Sequence, residues 1–102
     1  MNMLNPDQLA SFNDQGFLLF PSLFSAAETA VLRAGAANAM ARTGAEVVCE
    51  PESEAVRLVY GVHRFEEAFD RLGRHPQLIR AAEQLLETDG VYIHQSRLNP
   101  KA

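Results

Sequence analysis

One cysteine, Cys49, and no tryptophan occur in 102 residues. A single thiol excludes an internal disulfide framework and fits a reducing compartment. Cys49 lies in the run Glu46-Val-Val-Cys-Glu50, with no histidine or asparagine close in sequence to activate a thiolate. It therefore reads as a small buried hydrophobe of a strand rather than as a nucleophile. A basic cluster is also missing. Nine Lys and Arg are scattered among thirteen Asp and Glu, for a net charge of −4, and the densest basic feature is Arg71-Leu-Gly-Arg74. That balance argues against nucleic acid as a partner. No apolar run approaches the roughly 18 residues that suggest a membrane helix. The opening Met1-Asn-Met-Leu-Asn-Pro-Asp7 has neither the positive nor the apolar region of a secretory signal. Together these absences lead to the expectation of a cytoplasmic protein that touches neither membrane nor nucleic acid.

What is present is ordinary globular material. With 47% hydrophobic and 22% charged residues, the composition argues against disorder. The length allows one small domain, residues 1–102, with a net stability of about 5–10 kcal/mol. Asn5-Pro6-Asp7 is a helix start: Asn5 caps, Pro6 suits the first helical position, and Asp7 faces the positive helix end. Gly16 is its expected stop. Phe17-Leu-Leu-Phe20 reads as a short buried strand ended by Pro21. Ser25 with Glu28 forms a capping box, opening an Ala-rich helix from Ala26 to Arg42. Its two flanks are Ala27, Val31, Ala34 and Asn38, and Leu32, Ala36, Ala39 and Met40.

Glu46–Glu50 and Ala55–Tyr60 are strand candidates that form a hairpin around the acidic turn Pro51-Glu-Ser-Glu54. Phe65, Phe69 and Leu72 are spaced for a helix over Arg64–Leu72 that stops at Gly73. His75-Pro76 starts another, from Gln77 to about Leu86, with Leu78, Ala81, Ala82 and Leu85 inward. Asp89-Gly90 turns into a final strand. The order predicts an α+β fold with helices covering one face of an antiparallel sheet. Its last strand would be an open edge, through which copies of the chain could pair as a homo-oligomer.

That last strand, Val91-Tyr-Ile-His-Gln-Ser-Arg-Leu-Asn-Pro-Lys101, carries polar groups on both faces. Alternation puts Val91, Ile93, Gln95, Arg97 and Asn99 on one side, and Tyr92, His94, Ser96 and Leu98 on the other. Gln95 and Asn99 offer donors and acceptors, while Arg97 and Lys101 offer donors only. Such a set suits a polar, carboxylate-bearing small molecule. A solvated edge strand reads the same way on composition.

Several stretches in order resemble the phytanoyl-CoA dioxygenase-like oxygenases, in particular the branch that includes ectoine and proline hydroxylases. They are Leu9 to Phe24, with its Gly-Phe-Leu-Leu-Phe-Pro turn; the capped Ser25-Ala-Ala-Glu28 helix; Arg57-Leu-Val-Tyr-Gly-Val-His63; Leu72-Gly-Arg-His-Pro-Gln-Leu78; and the final Val91–Lys101 strand. The resemblance spans nearly the whole chain. It implies the N-terminal portion of a double-stranded β-helix (jelly-roll) oxygenase. It also implies Fe(II) and 2-oxoglutarate as cofactors in the full-length enzyme, which couples oxidative decarboxylation of 2-oxoglutarate to hydroxylation of an unactivated C–H bond. The family holds iron with two His and a carboxylate, in a His-x-Asp motif and a later His. None of the three histidines here fits it: His63 precedes Arg-Phe, His75 precedes Pro-Gln and His94 precedes Gln-Ser. The motif is expected beyond Ala102, so no metal ligand or catalytic residue is assigned here, and no activity or cofactor binding is expected of this chain alone.

His63-Arg-Phe-Glu66 has a spacing able to join two ligands on a helix, but Glu66-Glu67 read as a solvated helix start. His75 reads as a turn or cap residue, and His94 as a core group or a support for a ligand. By the resemblance, Gln95, Asn99 and Lys101 are the substrate- and 2-oxoglutarate-binding residues. The alternative expectation is a free-standing α+β binding or assembly module without catalysis.

Overall fold

The first two helix starts are built from local hydrogen bonds. The computed structural model describes residues 3–101. In α1, Pro6–Gln15, the Asn5 side chain accepts from the Gln8 N–H at 2.8 Å and the Gln8 side chain accepts from the Asn5 N–H at 3.0 Å. Gly16 closes the helix at φ +83°, a left-handed position that costs glycine nothing. In α2, Ala26–Met40, Ser25 and Glu28 make the same reciprocal pair at 3.1 and 2.8 Å. The helix ends two residues before the expected Arg42.

The inward flank of α2 is the one carrying Gly35, Ala39 and half-buried Leu32, Ala36 and Met40, while Val31, Ala34 and Asn38 are exposed. Gly35 permits a close approach. A Cβ there would lie 3.0 Å from the Cβ of Ala68, tighter than van der Waals contact.

Val47–Cys49 (β1) and Val56–Tyr60 (β2) pair antiparallel as the expected hairpin, with Val47 opposite Val59. The register shifts between Val48 and Cys49. This irregularity corrects one expectation: Cys49 is exposed, not buried. An irregularity of this kind re-aims the side chain that follows it. Past Gly61, at φ +66°, the chain makes a 3-10 turn at Val62–Arg64 and then α3, Glu67–Gly73. One continuous helix over Arg64–Leu72 was expected. Phe65 (φ −131°) and the extended Glu66 interrupt it. Helix α4, Pro76–Leu86, follows, with His75 capping: its Nδ1 accepts from the Gln77 N–H at 3.3 Å. Strand β3, Arg97–Leu98, pairs with β2 through Val59–Leu98 and Tyr60–Arg97, giving the order β1-β2-β3.

Two expected strands differ. Phe17–Phe20 is not a strand, and Phe17 and Leu19 are 61% and 78% exposed. The segment has strand chemistry but no pairing partner among the described residues. The final strand shrinks to two residues, and of residues 91–96 before it only Ser96 keeps a backbone bond among the described residues, from Gly61. The core lies where α2 and α3 cover one face of the sheet. Ala39, Val59 and Val62 are its buried centre, with Met40, Val47, Val56, Phe65, Phe69 and Leu98 around them. Helix α1 is attached elsewhere: the Leu4 N–H donates to Gln84 Oε1 of α4 at 2.7 Å. No described helix is long and apolar enough to cross a membrane.

Candidate functional site

The polar segment begins at Gly90 and reaches the sheet only at its end. From Ser96 onward the alternation expected of a strand is kept: Ser96, Leu98 and Pro100 are half-buried, and Arg97, Asn99 and Lys101 are exposed. Leu98 packs on the core, which fixes the other face outward. Gln95, just before this alternation begins, is exposed as well, so Gln95, Asn99 and Lys101 are all solvent-accessible along this edge, with Arg97 among them. The edge thus presents two amides and two cations. These groups can donate to a carboxylate, and the amides can also accept from a hydroxyl or amine.

His94 is exposed, which corrects the expectation of a core histidine. The segment around it has no strand partner to bury it. Tyr92 is 86% exposed for the same reason.

Ser96 was not singled out in the sequence, yet it does the most to hold this edge in place. Its carbonyl accepts from the Gly61 N–H at 2.8 Å, and its Oγ accepts from the His63 N–H at 3.4 Å. The His63 Nδ1 lies 2.5 Å from the same Oγ. Sequence gave no local signal for this contact, since 33 residues separate the partners. His63, Ser96 and Arg97 line, together with Phe69, Leu72 and Ile93, a largely apolar cleft of about 350 Å³.

Iron chemistry does not fit the described residues. No group of three His, Cys, Asp or Glu among them is placed to hold a metal ion.

No protein-family model matches the sequence. Individual proteins do. The chain is 43% identical over 103 aligned residues to the ectoine dioxygenase of Bordetella bronchiseptica, covering 96% of the chain and 33% of that protein. It is 38% identical to the ectoine dioxygenase of Sphingopyxis alaskensis over 92% of the chain and 32% of that protein. Crystal structures of EctD from S. alaskensis superpose with a TM-score of 0.88 at 34% identity, over 96% of this chain and 36% of theirs. One contains 2-oxoglutarate and 5-hydroxyectoine, another Fe. The chain therefore spans about a third of the length of the relatives it matches. Over that third, in sequence and in its mixed helical and antiparallel fold, the chain is a homologue of the ectoine dioxygenases.

Proposed function

We propose that residues 1–102 form one N-terminal portion of a cytoplasmic non-haem Fe(II)/2-oxoglutarate-dependent dioxygenase, whose substrate is a small polar, carboxylate-bearing molecule of the ectoine type. The observation that carries this reading is the end-to-end match. Nearly the whole chain, 96%, aligns with an ectoine dioxygenase and superposes on EctD. In this reading α1–α4 form a supporting layer and β1–β3 the first strands of a double-stranded β-helix. Iron ligands come from the part of the enzyme corresponding to the relatives' other two thirds.

Gln95, Asn99 and Lys101 are the residues this portion contributes. Lys101 neutralises a carboxylate of 2-oxoglutarate or substrate, and the two amides fix its orientation. Three such side chains flanking a two-residue strand do not by themselves make a complete site, so turnover requires the completed barrel.

A chimera tests the reading. This chain replaces the matching third of the S. alaskensis ectoine dioxygenase, and 2-oxoglutarate-dependent formation of 5-hydroxyectoine is measured. Activity within about tenfold of the parent enzyme, a loss of under ~1.4 kcal/mol in transition-state stabilisation, is expected. A folded, iron-loaded chimera that consumes no 2-oxoglutarate would overturn the reading.

A further inference from the structure

We infer that Ser96 is a positioning residue whose hydroxyl and carbonyl fasten the Gly61–Arg64 turn to the polar edge, holding Gln95, Arg97 and Asn99 at a fixed stagger. The inference rests on the functional reading above only in what the edge is for. The fastening itself is a property of this chain.

The need for it follows from how little else restrains the edge. Strand β3 pairs with β2 at two positions, Val59–Leu98 and Tyr60–Arg97. A strand of two residues is marginal on its own, and residues 91–96 before it have no ladder. Ser96 sits at the junction between the unpaired and the paired stretch. It extends the register by one further backbone bond, from Gly61. Gly61 is left-handed at φ +66°, so the turn brings His63 back over the strand.

There the single Ser96 Oγ meets both the backbone N–H and the ring Nδ1 of His63. Because the hydroxyl oxygen accepts from the backbone N–H, its own proton is available to Nδ1. A hydroxyl has one donor and two acceptor lone pairs, so one Oγ serves both groups. Ser96 is half-buried, while Gln95 and Arg97 on either side of it are exposed. Locking Ser96 from below thus sets the rotation of Gln95 and Arg97 above, without Ser96 touching a ligand.

Two measurements decide it. In the ¹⁵N-labelled 102-residue chain, Ser96→Ala should shift the His63 Nδ1 resonance away from its hydrogen-bonded value. It should also raise the picosecond-to-nanosecond mobility of the 95–99 amides, and Ser96→Thr, which keeps the hydroxyl, should restore both. In the active chimera, Ser96→Ala should raise the KM for ectoine roughly tenfold with kcat little changed, the effect of one lost hydrogen bond. Unmoved His63 and 95–99 signals overturn the fastening. A shifted His63 signal with unchanged KM overturns its positioning role. Should Ser96→Ala fail to fold, the wild-type chain decides. A free Nδ1, or mobile 95–99 amides, in the unaltered protein would be fatal to the inference. An inactive wild-type chimera counts against the functional reading instead, and the spectra then decide the fastening by themselves.

Discussion

Gln95 and Cys49 show how one side chain's role depends on what its backbone is paired to. Gln95 stands one residue before half-buried Ser96 and is exposed. In a completed site its amide would be desolvated against a ligand, and truncation would leave the partner group unsatisfied at a cost of about 1–3 kcal/mol. Gln95→Ala in the active chimera is accordingly expected to raise KM or lower kcat by roughly ten- to a hundredfold, with circular dichroism and melting temperature unchanged. Wild-type kinetics would mean that the side chain is merely solvated. Cys49 was legible as a strand residue and illegible as an exposed one. Its outward aim comes from a register shift that no residue in Glu46–Glu50 announces. The Ser96–His63 contact was hidden for a related reason: it joins residues 33 apart, and neither residue type is unusual where it stands.

At the scale of elements, legibility followed locality. Helices α1, α2 and α4 could be read because their starts are written in adjacent residues: Asn5 with Gln8, Ser25 with Glu28, and His75 before Pro76. Phe17–Phe20 and residues 91–96 have strand-like composition, but a strand exists only when a distant partner supplies its hydrogen bonds. The α2 start also has a pH signature. Hydrogen bonds from the Ser25 backbone N–H and then its hydroxyl hold the Glu28 carboxyl below its ordinary 4.5. A depressed carboxylate stabilises the fold fully above the unfolded value and loses that contribution as pH falls through the folded value. Urea titrations of wild type and Glu28→Gln should thus converge on acidification below about pH 4.5, the wild type losing its advantage and the variant having none to lose. Parallel curves across that range would show that the carboxylate charge contributes nothing to the cap. Removing the other half of the box, Ser25→Ala, should cost about 1 kcal/mol at neutral pH.

The whole molecule is extended for its length. Its radius of gyration is 16.0 Å, against about 13 Å for a compact domain of 100 residues. The buried centre is small, Ala39, Val59 and Val62, and large apolar side chains lie far from it, with Phe17 61%, Leu19 78% and Tyr92 86% exposed. The apolar cleft under Ile93 and Leu98 opens near the same edge of the sheet. In the function proposed above such surfaces are what further strands would cover, because a jelly-roll buries its sheets against each other. The 102-residue polypeptide by itself should therefore bind an environment-sensitive dye such as ANS and unfold with a shallow urea dependence, since the slope scales with the area exposed on unfolding. The same residues within the chimera should lose the dye signal, as strands from the remaining two thirds cover Leu19, Tyr92 and the cleft. A chain that binds no dye and unfolds steeply as a defined oligomer would instead identify a self-sufficient module that covers these surfaces with copies of itself. The open outer edge of β3 would then be the place to look for the contact.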